Sequence, residues 1–442
     1  MHVARHGPEA DQPVILIVVA LLMRLPKLSM PARRTLVLAI AVGVAGCARP
    51  MPTDLQPSAA RTTLPRALTP AEASVRDAAN DFSFALWNKL IQGSPDSNVF
   101  VSPLSASFAL GMAIGGARGT TADELRSGLQ LGPSSLAEID GGYQSLIALL
   151  TSLDPSVAMS IANSVWYRNT FPFNQSFLDG ASKYFGATVS GLDFNDSPAS
   201  AATINSWVKD KTNGKITSIV DKVESDDVMF LINAIYFKGQ WRRRFNPNIT
   251  QSGPFHSVRG DQPAHLMRGT DDMAYAESAT FQAVDLAYGD SAFTMSILLP
   301  KPPATVESVA ASLTAAGWAS FAGGFAPRYV ELELPRLTLT WDHDLNDELQ
   351  ALGIRQAFVP QGADFTGMST LGRQLSLSRV RQKAYVNVDE EGTEAAAVTS
   401  GEVIATAARI PTEMHVDRPF VLLIRERLTG TVLFIGKVVA LE

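Results

Sequence analysis

Cysteine is almost missing from these 442 residues: Cys47 stands alone. One thiol cannot build a disulfide framework, and without a second cysteine the cysteine-rich zinc motifs are excluded as well. Histidine is sparse too. Beyond the N-terminal region only His256, His265, His343 and His415 remain, and none stands in an H-E-x-x-H pattern. There is no G-x-S-x-G elbow and no glycine-rich phosphate loop. Catalysis, a metal site and a cofactor are therefore not expected, and the four histidines read as surface or packing residues. Long Lys/Arg runs are missing and the net charge of −6 is mild, which removes DNA and RNA from the expected partners. What the chain has in quantity is apolar residues, 46% of the total. That is enough for a sizeable core in one large or two ordinary domains.

The lone cysteine has an informative context. Met30-Pro-Ala-Arg33-Arg34 makes a short basic start, Thr35 to Ala45 is an apolar run too short for an ordinary spanning helix, and Val44-Ala45-Gly46-Cys47 closes it with small residues. This is the layout of a secretory signal, and its last four residues resemble the lipobox of bacterial lipoproteins. That resemblance implies lipidation of Cys47, which would become the new N-terminus, and a lipid-anchored protein of the cell envelope, periplasmic or on the cell surface. A buried structural cysteine or an uncleaved anchor is the alternative. A second apolar run, Pro13 to Met23, lies upstream. Two signals in tandem serve no purpose, so Met30 is read as the true start within a signal region 1–47. Residues 48–70, rich in Pro, Ala, Thr and Arg, read as a disordered tether, and the folded domain is expected over 71–442.

Within that domain Ala71 to Leu90 places Val75, Ala79, Phe82, Phe84, Leu86, Trp87 and Leu90 at helical spacing, with Glu72 in an acidic first turn. Asn98 to Ser105 reads as a short strand entering a helix that Ser102 caps and Pro103 starts. Phe293 to Pro300 and Tyr329 to Pro335 read as strands, and Leu345 to Leu352 as a helix closed by Gly353. Arg418 to Arg425 and Val432 to Val438 read as a hairpin turning at Thr429-Gly430.

The stretch that decides the function is Asp389-Glu390-Glu391-Gly392-Thr393-Glu394-Ala395-Ala396-Ala397-Val398-Thr399-Ser400-Gly401. It follows the alternating run Ala384 to Val388 and precedes Glu402 to Val416, which has no period of its own. From Thr393 the side chains are almost all small and proline is absent until Pro411, so the segment suits both an exposed loop and a strand slid between existing strands. Glu390 to Ala397 closely resembles the hinge of the reactive loop in serpins, the serine protease inhibitors. An Ala-rich helix or linker is the bland reading of the same residues. The resemblance continues through Asn98 to Leu125, Ala162 to Tyr167, Ile204 to Val208, Thr212 to Ile216, Leu231 to Trp241 and Ala363 to Met368, spanning about residues 71 to 442.

Membership implies an α+β serpin fold, with mixed, mostly antiparallel sheets, about eight to nine helices and a reactive loop over about 390–416. It also implies a monomer that acts as a suicide substrate for a serine protease or, alternatively, a cysteine protease. Glu390, Gly392, Thr393, Ala395, Ala396 and Ala397 match the hinge; Ser102, Ser105, Asn205 and Asn233 match the shutter, where the main sheet must part; and Trp241 matches the tryptophan where insertion begins. The shutter histidine of the family is Gln382 here, which can still donate and accept. The spacing that inhibitory serpins keep after the glutamate matching Glu390 implies a reactive bond at Thr406-Ala407, suited to elastase-like or subtilisin-like pockets, with Arg409-Ile410 as the alternative for a trypsin-like one. A non-inhibitory serpin-fold binding or carrier protein remains the second functional reading.

Overall fold

The computed structural model describes residues 15–24, 59–392 and 409–442. Among them nine α-helices and two sheets are present, with all elements numbered in chain order. The first sheet contains β1 (Ile15–Arg24), β3 (Val157–Arg168), β4 (Thr188–Leu192), β5 (Asp227–Gly239), β11 (Leu337–Asp344) and β12 (Ser376–Val388), in the order β11-β12-β1-β5-β3-β4. The second contains β2 (Val99–Val101), β6 (Gln251–Ser257), β7 (Gly260–Glu277), β8 (Phe281–Ala287), β9 (Phe293–Pro300), β10 (Ala326–Pro335), β13 (Thr412–His415), β14 (Phe420–Glu426) and β15 (Val432–Val438). Its order is β13-β10-β7-β8-β9-β14-β15-β2, with β6 paired to β7. The helices are α1 (Pro70–Gln92), α2 (Pro103–Gly116), α3 (Gly119–Gly128), α4 (Leu136–Ser152), α5 (Gln175–Phe185), α6 (Ser197–Lys211), α7 (Val306–Ser312), α8 (Ala315–Ala322) and α9 (Asn346–Ala351).

Local chemistry explains the elements that frame the site. Thr69 and Glu72 form a reciprocal capping box that starts α1, whose buried residues include Val75, Ala79, Phe82, Leu86, Trp87 and Leu90. Ser102 caps α2 by accepting from the Ser105 N–H at 3.2 Å, and Pro103 occupies its first turn. The helix that follows is buried almost all round, because it lies between the sheets. β5 is likewise buried on both faces. Met229, Leu231, Ile235 and Phe237 point into the main core, whereas Phe230, Ile232, Ala234 and Tyr236 join a smaller core with Ile204 and Val208 of α6.

Two elements and one connecting segment differ from what the sequence suggests. Residues 59–69, read as part of a disordered tether, lie on the domain: Leu64 and Leu68 pack against the core, and the Arg61 N–H donates to the Asp290 carbonyl at 2.6 Å. Glu402 to Val416 shows no period, yet Thr412–His415 forms β13, parallel to β10. Four residues are too few to display an alternation, and their place is fixed by an existing edge rather than by their own pattern. The upstream apolar run, set outside the folded domain on sequence grounds, supplies β1, a central strand antiparallel to both β12 and β5.

Candidate functional site

The centre of the first sheet is held by a buried polar cluster. Gln382 of β12 is fully buried and closes a two-way contact with the Ser102 backbone, accepting from its N–H at 3.1 Å and donating to its carbonyl at 2.9 Å. The amide thus does both jobs expected of it. Ser102 donates its hydroxyl to the Leu433 carbonyl at 2.7 Å, which ties the second sheet to the same point. The Ser105 hydroxyl donates to Asn233 Oδ1, Asn233 Nδ2 donates to Asn163 Oδ1 at 2.8 Å, and Asn163 Nδ2 donates to the Phe185 carbonyl at 2.7 Å. All these side chains are essentially inaccessible, so each bond replaces one that water would make, and a missing partner would cost about 1–3 kcal/mol.

Asn205 is not part of this cluster. It stands on α6, where its side chain accepts from the Ile219 and Val220 N–H groups at 2.9 and 3.0 Å and donates to the Val220 carbonyl at 2.7 Å. That pattern pins the segment after α6 onto the helix. Asn163 takes the place that sequence reasoning gave it, and its strand position opposite Asn233 in the β3–β5 register is the signal that would have identified it.

A second constellation lies where β12 ends. Trp241 is buried and stacked on Tyr288, with ring centroids 4.5 Å apart and 17° between planes. Its indole N–H donates to the Asp389 carbonyl at 2.9 Å and its backbone N–H to the Glu391 carbonyl at 3.1 Å. Glu390 is 4% exposed. Arg336 reaches it through two nitrogens at 2.8–3.0 Å, and the Thr250 hydroxyl donates to it as well. Burial alone would raise the Glu390 carboxyl, but Arg336 and Thr250 outweigh that and hold it below the ordinary glutamate range. Neither Arg336 nor Thr250 was visible as a site residue in sequence.

The neighbouring Asp389 behaves oppositely. Burial, with the charges of Glu390 and Glu391 added, pushes its carboxyl up to about 6. Gly392 then turns the chain with φ of 96°, bridging Gln240 and Asp389. A Cβ there would lie 2.1 Å from the Trp241 nitrogen, so both the conformation and the space require glycine.

Thr393, Ala395, Ala396, Ala397, Thr406 and Ala407 lie outside the described residues, as does Cys47. Arg409 is held by Asp272 at 2.7 and 2.9 Å and lies 4.5 Å over the Tyr329 ring, while Ile410 is 93% exposed. His256, His343 and His415 each face a carboxylate, Asp261, Glu348 and Glu333 respectively, and do not converge.

Comparison with known proteins agrees with this geometry. The family model described as "Serpin (serine protease inhibitor)" matches residues 77–441. Human neuroserpin is 33% identical over 376 residues, covering 82% of this chain and 90% of its own. A serpin-like protein of Thermococcus kodakarensis is 31% identical over 424 residues, covering 92% of this chain and 98% of its own. Among solved structures, human thyroxine-binding globulin complexed with thyroxine superposes with a TM-score of 0.76 at 28% identity, covering 84% of this chain and 99% of the globulin.

Proposed function

Since this chain belongs to the serpin family, we propose that it inhibits a serine protease as a suicide substrate. The observation that carries the reading is the turn at Gly392, where the chain leaves β12 against Trp241 and reverses direction between Gln240 and Asp389. β5 and β12 are both antiparallel to the strand between them, so a strand hairpinning out of β12 has the direction their gap accepts.

The protease serine attacks the Thr406 carbonyl carbon, the bond to the Ala407 nitrogen breaks, and the new amine leaves carrying a proton while Thr406 stays on the serine as an ester. Insertion of the freed loop as a strand of about fifteen residues carries the protease roughly 50 Å. Distortion of its active site at the far end then prevents deacylation. The buried cluster of Ser102, Ser105, Asn163, Asn233 and Gln382 lies beside the place the strand takes, and the Glu390–Arg336 pair anchors the hinge. Small residues around Thr406 favour an elastase-like or subtilisin-like target, and the engagement of Arg409 by Asp272 and Tyr329 weighs against the trypsin-like alternative.

The same reading places the working protein in a bacterial cell envelope, anchored by lipid at Cys47 and monomeric, with a cysteine protease as a second target class. The test is to mix residues 48–442, the chain that signal processing would leave but without its lipidated Cys47, with elastase, subtilisin and trypsin. A band that survives denaturing electrophoresis with one of the first two is expected. Cleaved, free product alone would instead favour the binding or carrier role, a reading in line with the thyroxine-bound relative.

A further inference from the structure

The space an inserting loop needs is filled here by residues 15–24. β1 runs antiparallel to β12 from Leu16↔Tyr385 to Arg24↔Ser376 and antiparallel to β5 from Ile15↔Phe237 to Arg24↔Asp227. Leu21 and Met23 are fully buried and belong to the main core. Its position can be compared with the loop's residue by residue. Gly392 bridges Gln240 on one side and Asp389 on the other. A loop inserted in that antiparallel register would bring Ala396 opposite Tyr236 and Tyr385, the two residues that flank Leu16. Further along, Glu402 would come opposite Phe230 and Arg379, the pair that flanks Leu22. Both edges give the same answer: Ala395 to Glu402 and Ile15 to Leu22 claim the same positions in the same direction.

The two segments are unequal competitors for that place. β1 reads ILIVVALLMR, apolar in all but its last residue. The matching loop residues from Ala395 read AAAVTSGEVI, with Thr, Ser, Gly and Glu among them. A central strand between β12 and β5 favours the first, because each apolar side chain removed from water contributes and each polar one needs a partner.

We propose that residues 15–24 are an internal plug for the reactive-loop slot. A chain that retains them keeps its loop outside the sheet and is cut by a protease as a plain substrate; cleavage after Gly46 removes the strand's covalent tie and lets the slot open. Occupancy of the slot stands on the pairing alone, while its consequence rests on the inhibitory reading above.

The full chain and its Val19→Pro variant test this. Val19 stands opposite Asn233 and Gln382 at the middle of the slot, where proline removes a ladder N–H and is not tolerated. In the parent, hydrogen exchange read by mass spectrometry is expected to be at least about a thousand-fold slower over 15–24 than in a free chain. In Val19→Pro that protection is expected to be lost. Subtilisin cleavage of the loop is then expected to raise the melting temperature of Val19→Pro and leave that of the parent unchanged. Free exchange over 15–24 in the parent overturns the plug, as does an equal rise in both chains. Protection in the parent without a rise in either chain upholds the plug and overturns loop insertion. Should Val19→Pro not fold, Leu21→Arg, which puts a charge into the core, replaces it, and the parent's exchange pattern decides occupancy by itself.

Discussion

Replacing Asn233 with leucine should expose how much the sheet depends on its buried amides. The side chain is inaccessible, accepts from Ser105 Oγ and donates to Asn163 Oδ1. Leucine has nearly the same volume, so the packing loss is small and the two abandoned partners dominate. At about 1–3 kcal/mol for each unsatisfied buried group, the loss is about 2–6 kcal/mol. An unfolding entropy of about 2.1 cal/mol/K per residue over about 370 residues makes this a fall in Tm of about 3–8 °C. The assay is calorimetric and denaturant unfolding of Asn233→Leu, Asn163→Leu and the double variant, in the full chain. Because the second change removes an acceptor that the first has orphaned, the double variant should lose at least about 1 kcal/mol less than the sum of the singles. Asn205→Ala, whose bonds lie on α6, should add independently to either. A single loss under about 0.5 kcal/mol, or simple additivity of Asn233 with Asn163, would refute the cluster as a coupled unit.

Asp389→Asn tests the end of β12. Burial raises this carboxyl from the ordinary 3.8 to about 6, so between those values the folded form holds a proton the unfolded form has lost, and stability from this group falls as pH rises through 6. Asparagine should therefore stabilise the protein by about 1–3 kcal/mol at pH 7, with the gain vanishing below pH ~4, as followed by denaturant midpoints across pH. Gly392→Ala should disturb the turn against Trp241, seen as altered tryptophan fluorescence together with a Tm drop of at least about 1–3 °C, the share of left-handed strain of about 1–2 kcal/mol before the backbone clash is added. Thr393→Arg should leave Tm unchanged but put a charge into the sheet on insertion. Titration against the trapped protease should show at least about a tenfold higher stoichiometry, equivalent to about 1.4 kcal/mol against trapping.

Much of the frame could be read from the chain because its elements obey local rules. The Thr69–Glu72 box, the Ser102-Pro103 start and the Phe293 to Pro300 run each signal their element through residues a few positions apart. Ser105 and Asn233 could be singled out because their segments resemble the family's shutter, and the structure brings the two side chains together. The site was not legible where the partner comes from a distant loop. Arg336 and Thr250 find Glu390 across 54 and 140 residues of sequence, and nothing local marks either. Asn205 shows the converse: a polar residue in a characteristic motif turned out to hold its own helix to the next segment. β1 was missed for a further reason. A short, uniformly apolar run bears the same signature whether it serves as a signal core or as a central strand of a sheet.

The most direct measurement follows the protease itself. In the chain from Ala48, Asn248→Cys supplies a single exposed thiol two residues from Thr250, whose hydroxyl meets Glu390 where the hinge leaves β12. An acceptor dye there and a donor on subtilisin report their separation by energy transfer. An inactive protease that only docks on the loop should give efficient transfer, and active protease in the trapped complex should give a loss corresponding to a shift of roughly 50 Å, the length of an inserted strand of about fifteen residues. Equal transfer in the two complexes would mean that the protease stays where it first binds, and would contradict inhibition by loop insertion.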